Sequence, residues 1–531
     1  MVPHDNVTTS TSYVSLRDHI NYRHSTSQDE RLLFPRLLRE QLFKSVWSLE
    51  SLAIPMTYIS TGLLYSFPQT MIEIFPRSIG ASDAQLNTVA VVRALPWTFK
   101  VLLGVLPDLY PISNQRYAPY LGLGCLLASI FHILLAIYTA TNTLTLFSFT
   151  FLLFGATIGV VMADVMADAL VAHRVVQGLQ YTKSGPFDGS YLQTTVSLCR
   201  FGSEIFGYWL GACLNYSVQW GYTTSMMYQF AFLACVPLVM VLPALTYLTE
   251  HDERPMMSLQ AQMKGLWLML QRRATWQPVC FLVLVNSCFV PNAAWGNYLK
   301  VAYHFTGFQY GAISGIGACV TFVAIQLYRS QIVPYFDAPW HHVFYTTGIV
   351  IAFFSLLNIF FVFHVNDQIG LSPFWFAMGD AAGSSFARGF QYLPVAQMFV
   401  AVCPMYQEGV AFALLTSITN VAQAIATTIA NILLTLWPVD LQDLEKVPHD
   451  YQGVWKLSIL TSIISIIPVI FLTTRWLPKG PQEQQEWKHD FSTTGAAFVL
   501  VIYAGGFLWV CISSLLAIFA PCHVLVGGHG C

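Results

Sequence analysis

Asp164 and Asp168 stand four residues apart in the run Ala163-Asp-Val-Met-Ala-Asp-Ala-Leu-Val-Ala-His-Arg174, which closes an apolar stretch that begins near Leu144. On a helix, positions four apart share one face. Two carboxylates in hydrocarbon are costly and need a cation, a proton or a water-filled cavity. An acid pair of this kind points to transport chemistry. The competing reading puts Asp168 at the water boundary, with Arg174 simply anchoring the helix end.

Other charges interrupt apolar runs. Arg93 and Lys100 are seven apart, so a continuous helix would put them on one face. A permanent cation at mid-helix suggests an anionic substrate, or equally a structural salt bridge to a neighbouring helix. Arg200 and Glu204 are spaced to bridge each other, although Arg200 is the better answer to Asp164 or Asp168, since an acid pair needs a cation nearby. Gly202, Gly207 and Gly211 beside them allow close helix contact. Asp380 and Arg388 lie eight apart and nearly on one face, among Gly379, Gly383 and Gly389. Lys300 is expected to snorkel at a helix end. Asn286, Asn292 and Asn297, with Trp295 and Tyr298, offer hydrogen bonds and stacking to a heteroaromatic ligand; more commonly such Asn side chains bond to neighbouring helices.

These residues sit in a chain that is 55% hydrophobic and only 10% charged, against about 25% charged in an ordinary soluble domain. A polytopic membrane protein is expected. The 15% aromatic content suits interfacial belts and stacking surfaces. The net charge of −2 indicates no partner, and no basic block suits nucleic acid. The 11 Cys are scattered, mostly within apolar segments, and read as small core residues. Cys522-His523 and His529-Gly530-Cys531 resemble metal ligands, but a mobile tail is the favoured reading. No cofactor or metal is implied. Without an N-terminal secretory signal, the first spanning helix is expected to act as its own insertion signal.

A spanning helix needs about twenty mainly apolar residues. That rule places spans near 48–73, 85–107, 118–139, 144–172, 190–214 and 226–249, then near 278–303, 308–333, 342–364, 371–402, 408–437 and 454–474, and a last one near 495–520. The expected fold class is an all-α polytopic membrane protein of two six-helix bundles, with an extra C-terminal helix. The expected domains are a cytosolic N-terminal segment (1–46), a first bundle (47–250), a cytosolic middle loop (251–276), a second bundle (277–476), and a polar linker, thirteenth span and tail (477–531). Within the first, Arg31–Lys44 alternates Leu33, Phe34, Leu37, Leu38 and Leu42 with Arg36, Arg39 and Lys44, as in an amphipathic helix on an anionic leaflet. Most of the 25 Lys and Arg fall on the side of the N-terminus and middle loop, whereas Arg77, Lys446 and Lys456 fall opposite. The positive-inside rule then places the N-terminus in the cytosol. The sequons at Asn6 and Asn215 are discounted, one as cytosolic and one as too close to the membrane. The thirteenth span crosses, or lies as a re-entrant or peripheral helix weakened by Gly495, Gly505 and Gly506.

Four stretches resemble the folate–biopterin transporters, a branch of the major facilitator superfamily. They are Leu95-Pro-Trp-Thr-Phe-Lys100 running on to Gly104 and Pro107-Asp-Leu-Tyr-Pro-Ile112; Ala163 to Ala172; Arg200 with its glycines; and Cys403-Pro404 with Glu408 and Phe412-Ala-Leu-Leu-Thr-Ser-Ile-Thr-Asn420. The resemblance covers roughly helices 1 to 12. It implies a major-facilitator-type fold whose bundles rock about a central cavity, and a carrier of folates, pterins or related solutes, often coupled to protons. By position it puts Lys100, Asp164, Asp168 and Arg200 at the cavity. A carboxylate can meet the amidine-like edge of a pterin with two hydrogen bonds, Arg or Lys can meet a folate's anionic tail, and a buried Asp can carry a coupled proton. Arg93, Asp380 and Arg388 complete the substrate and coupling candidates. Gly104, Asp108 and Arg116 fit a loose form of the superfamily's loop signature, and with Arg174, Glu204, Glu408 and Asn420 they are gating or structural candidates. The chain departs from the family pattern at Pro107, at Ser113-Asn-Gln-Arg116, at His173, at Glu204 and in the thirteenth span.

The expected function is secondary active transport of a folate- or pterin-like solute by alternating access, with proton coupling. The alternatives are a carrier of another small solute, such as an amino acid or nucleoside, and a membrane receptor or scaffold that has lost transport. An enzyme is not expected: Gly379-Asp380 matches half of an aspartyl intramembrane protease site, but Ala377 stands where its first Gly belongs, and there is no His-Glu-x-x-His. A conductive channel is disfavoured for want of a repeated filter motif. The expected partners are a small solute, H+ and the bilayer, with no nucleic acid. The expected state is a multi-pass monomer, in the plasma membrane rather than an internal one.

Overall fold

The computed structural model describes residues 46–81, 83–181, 189–215, 224–248, 250, 258–292, 294–330, 338–520 and 522–526. The amphipathic stretch at 31–44, the Asn6 sequon, the end of the Asn215 sequon, part of the middle loop and His529 to Cys531 lie outside the described residues. Regular structure among the described residues is helical, apart from two isolated bridges, Ile112 with Gln115 and Arg272 with Phe491.

In the first half the helices are α1 (Ala53–Ser66), α2 (Gln69–Ser78), α3 (Asp83–Thr98), α4 (Lys100–Leu109), α5 (Ala118–Ala140), α6 (Leu146–Tyr181), α7 (Gly189–Asn215) and α8 (Met226–Met240). The middle loop contains α9 (Leu259–Gln271). The second half has α10 (Arg273–Cys288), α11 (Ala294–Tyr303), α12 (Gly307–Leu327), α13 (Trp340–Val362), α14 (Pro373–Val402), α15 (Glu408–Leu434) and α16 (Gln452–Trp476), and α17 (Thr493–Phe519) follows.

Nine helices among the described residues are long and apolar enough to cross a membrane. Four expected spans fall outside that set, for two physical reasons. The spans near 48–73 and 278–303 are each broken next to a proline, the first at Phe67-Pro68 between α1 and α2, the second at Phe289 to Asn292 between α10 and α11. Proline has no N–H to continue the ladder and clashes with the preceding turn. By contrast, α7 and α14 are unbroken, but their apolarity is diluted by Gln193, Thr194, Arg200 and Glu204 in one and by Asp380, Ser384 and Arg388 in the other.

Within the first half, α5 packs on α6 and α8, and α1 on α7; within the second, α12 packs on α14, and α13 on α14 and α16. The halves meet along two seams, α7 against α12 and α15 against α4 and α6. Small residues line both. A Cβ on Gly311 would lie 2.8 Å from Ala212 Cβ, one on Gly104 2.9 Å from Ala413 Cβ, and one on Gly409 2.7 Å from Ala169 Cβ. Such positions let transmembrane backbones approach closely.

The thirteenth apolar span forms one unbroken helix, α17, packed against both halves. It begins beside the middle loop, where Ser492 N donates to Gln271 O at 2.8 Å and Arg273 N to Asp490 O at 2.8 Å. It then follows the groove between α3 and α15. Tyr503 OH donates to Thr98 O at 3.2 Å, Trp509 Nε1 to Thr428 Oγ1 at 3.2 Å, and at the far end Thr88 Oγ1 donates to Ala517 O at 2.8 Å. Its 27 residues rise about 40 Å, more than the roughly 30 Å of hydrocarbon. Two of the glycines expected to weaken it are contact points: Gly495 meets the Trp276 ring, and Gly506 meets Val421 and Ile425. Gly505 has open space. Gly506→Leu is therefore expected to force α17 off α15 at a cost of about 1–3 kcal/mol. It should lower the thermal midpoint of the purified protein, whereas Gly505→Leu should leave it unchanged.

Candidate functional site

Four helices of the first half converge on one buried ion network. Lys100 opens α4, Asp164 and Asp168 share a face of α6, Arg200 and Glu204 lie on α7, and Tyr58 comes from α1. Lys100 Nζ lies 2.5 Å from Asp164 Oδ2 and 3.5 Å from Asp168 Oδ2. Arg200 Nη1 lies 3.0 Å from Asp164 Oδ1, and its Nε lies 3.2 Å from Glu204 Oε1. Tyr58 OH donates to Asp168 Oδ1 at 2.5 Å. Both pairings open to Arg200 in the sequence are thus made at once. The side chain of Asp168 is 13% exposed and faces Lys100, because the four-residue spacing puts it one turn from Asp164 on the same face. Arg174, further along α6, donates from Nη1 to Ser51 Oγ at 2.7 Å.

The network is asymmetric. Asp164 is held by two cations, while Asp168 has a share of one cation and a phenol. Two cations face three carboxylates, which leaves one negative charge in excess when all are ionised. Buried charge in that position draws a proton or a cationic ligand group.

Trp97 lies against this network. Lys100 Nζ lies 4.8 Å and Arg200 Cζ 5.4 Å from its ring centroid, and Tyr65 meets it edge-on at 6.0 Å. Cations over an indole face are favourable contacts. Tyr392 comes from the second half, accepting from Ser197 Oγ at 3.3 Å and meeting Phe201 edge-on at 5.3 Å. Tyr58, Trp97, Tyr65 and Tyr392 were not among the expected site residues. One signal existed: Tyr58 and Tyr65 are seven apart on α1 and so share a face.

Arg93 does not join Lys100, as continuous helical spacing suggested. The helix breaks at Phe99, so the seven-residue phase relation is lost. Arg93 instead donates from Nη1 to Gln69 Oε1 at 3.0 Å and from Nη2 to Tyr65 O at 2.5 Å. The break is held from outside. Val101 N donates to Ser417 Oγ at 3.2 Å, and Asn420 Nδ2 donates to Trp97 O at 2.8 Å, both across the seam from α15. Asp380 and Arg388 do not bridge each other either; eight residues are about 12 Å of helix rise, too far for one side chain to span. Asp380 has Asn358 beside it, and Arg388 lies 5.4 Å from the Phe289 ring.

The remaining candidates lie toward the middle-loop end. Gly104 sits at the α4–α15 seam, and Asp108 Oδ1 lies 3.5 Å from Arg116 Nη1. Glu408 Oε1 accepts from Tyr406 N at 3.0 Å and lies 3.7 Å from His173 Nδ1 across the α6–α15 seam. Glu250, not singled out in the sequence, caps α5 by accepting from Arg116 N, Tyr117 N and Ala118 N at 3.0 to 3.2 Å. Asn292 donates to Ser458 Oγ of α16 at 2.7 Å, a bond to a neighbouring helix, whereas Asn286 donates to Leu282 O of its own helix at 2.8 Å. Among the described residues no group of three His, Cys, Asp or Glu could hold a metal ion. Cys522 is disulfide-bonded, so its thiol is not free to ligate a metal.

Removing one partner from a buried ion pair leaves the other charge unanswered and costs about 3–5 kcal/mol. Lys100→Met is expected to destabilise the purified protein by that amount in thermal unfolding. Adding Asp164→Asn to it should restore part of the loss.

The BT1 family model matches residues 63–493. A folate-biopterin transporter of Synechocystis sp. is 24% identical over 457 residues, covering 85% of this chain and 86% of the relative. Probable folate-biopterin transporter 2 of Arabidopsis thaliana is 22% identical over 451 residues, covering 82% and 84%. Among solved structures, a D-xylose-proton symporter superposes with a TM-score of 0.52 at 14% identity, covering 82% of this chain and 98% of that one. The major facilitator superfamily transporter FucP in the outward conformation gives 0.51 at 12% identity, covering 79% and 97%. These structural likenesses show the fold: an all-α polytopic membrane protein of major-facilitator type. The match spans most of both bundles, and the chain belongs to the BT1 family of folate–biopterin transporters.

Proposed function

We propose that this membrane transporter carries a folate- or pterin-like solute by alternating access, coupled to a proton. The observation that carries the reading is the buried network of Lys100, Arg200, Asp164, Asp168 and Glu204, with its one excess carboxylate. A network of this kind can take up a proton together with a ligand without leaving a bare charge in the membrane. The names of the relatives support the solute class.

Asp164, held by Lys100 and Arg200 together, is the fixed anion of the network. Asp168 has the weaker hold on cations and is the group that takes and releases the proton. A protonated Asp168 would meet a pterin's donor-and-acceptor edge with one hydrogen bond given and one accepted while the pterin ring lies on Trp97. Solute and proton then favour the same occluded arrangement, and both are released together when the bundles rock. The glycine-lined seams, α7 with α12 and α15 with α4 and α6, are the surfaces along which such rocking would occur. The distribution of Lys and Arg supports a cytosolic N-terminus and middle loop.

Uptake of labelled folate and biopterin into cells expressing the chain tests this reading. Saturable uptake, faster at acid than at neutral pH, is expected. Asp168→Asn should reach the membrane yet show uptake that no longer responds to pH, while Asp164→Asn should lose uptake altogether. A wild-type protein at the surface that takes up neither solute would remove the proposed substrate class. Unchanged pH dependence in Asp168→Asn would remove its coupling role.

A further inference from the structure

We propose that Tyr503, on the extra helix α17, is a positioning residue for the ion network: it holds open the break at Phe99 that aims Lys100 at the two acids. The inference deepens the transport reading above and rests on it for the network being the transport site.

The break sets backbone groups free. Phe99 departs from helical geometry, with φ −112° and ψ 25°, between the end of α3 and Lys100. In a continuous helix Val101 N would donate to Trp97 O, and Leu102 N to Thr98 O. Here Val101 N donates to Ser417 Oγ at 3.2 Å, and Leu102 N to Phe99 O at 3.0 Å. The carbonyls of Trp97 and Thr98 take donors from other helices. Asn420 Nδ2 of α15 serves the first at 2.8 Å, and Tyr503 OH of α17 serves the second at 3.2 Å. Within a membrane only the protein can satisfy such groups.

Without the Tyr503 hydroxyl, Thr98 O is a buried acceptor whose ordinary helical donor is Leu102 N. Taking that donor back closes the break. Lys100 lies inside the turn that closes, so it rotates about the helix axis. It moves toward the seven-residue phase it would share with Arg93 and away from Asp164 and Asp168. The observed position is closely defined, with Lys100 Nζ 3.5 Å from Asp168 Oδ2 and 4.8 Å from the Trp97 ring centroid. The other charged and titratable groups around it are Asp164 of α6, Arg200 and Glu204 of α7, Tyr58 of α1 and, nearby, Tyr392 of α14.

Helix α17 is fixed firmly enough to act in this way. Ser492 N donates to Gln271 O at one end, and Ala517 O accepts from Thr88 Oγ1 at the other, each at 2.8 Å. Gly506, one turn beyond Tyr503, seats the helix against Val421 and Ile425. The helix begins at residue 493, where the BT1 match ends. A helix beyond the matched region thus takes part in setting the site.

A double-variant comparison on the purified full-length protein tests the coupling without any solute. Tyr503→Phe keeps the ring and removes only the hydroxyl. Because it acts through Lys100, its loss in thermal midpoint should not add to that of Lys100→Met, and the double variant should lose less than the sum. Trp509→Phe removes the α17 bond to Thr428 Oγ1, away from the break, and should add to Lys100→Met in full. Uptake of labelled biopterin at equal surface level gives a second readout. The midpoint of the Tyr503→Phe pH profile should move toward neutral pH by at least about half a unit, since a cation further from the acids favours the proton. The Trp509→Phe profile should match the wild type. Full additivity of Tyr503→Phe with Lys100→Met, or identical pH profiles in Tyr503→Phe and wild type, would overturn the positioning role. Absence of wild-type uptake would contradict the transport reading instead, and the additivity result would still decide the role of Tyr503.

Discussion

The contact on which the molecule depends is the pair of bonds that Asp164 makes to Lys100 and Arg200. Three charges inside a membrane are tolerable only as a set, and each is delivered by a different helix. Lys100 reaches Asp164 from the first residue of α4, immediately after the break at Phe99. The break exposes backbone groups that need partners in a membrane. Ser417 and Asn420 of α15 supply two of them, and Tyr503 of α17 bonds to Thr98 O. The position of the cation in the first half is thus held partly by the second half and by the extra helix.

That arrangement ties site to seam. The surface along which α15 meets α4 and α6 carries Gly104, Gly409 and the His173–Glu408 contact toward the middle loop, and Asn420 with Trp97 O deeper in. A rocking motion that separates α15 from α4 must also break the bonds that hold the Phe99 kink. Lys100 would then be free to shift relative to the acids. The geometry offers a direct route by which charge state in the network and contact across the seam influence each other, through shared atoms rather than through distance. Helix α17 lies in the same groove and bonds to both α3 and α15, so it restrains the same separation.

Much of this was legible in the sequence, and the limits are physical. Long apolar runs marked most spans, because length and hydropathy are what the bilayer requires. The spacing of Asp164 and Asp168 marked the acid face, and Arg200 was rightly seen as able to answer it. The breaks were harder to read. Pro96, Pro107, Pro237, Pro394 and Pro468 all sit inside helices, so a proline alone does not announce where a span is cut. The Phe99 break, with no proline at the break itself, defeated the pairing of Arg93 with Lys100. Helix phase across a break is invisible to residue counting. Buried tyrosines gave little signal, since Tyr58 and Tyr392 look like ordinary apolar-face aromatics until an acid or a serine is found opposite. Glu250 lay 132 to 134 residues from the amides it caps, a relation that only the fold supplies.

The central claim is that the excess carboxylate of the network exchanges a proton in step with the solute. The most direct measurement is proton movement on solute addition to the purified protein in weakly buffered medium, followed with a pH-sensitive dye. The account predicts proton exchange that scales with bound solute and disappears when Asp168 is replaced by Asn. Saturable solute binding without any proton exchange in the wild type, across acid and neutral pH, would contradict it.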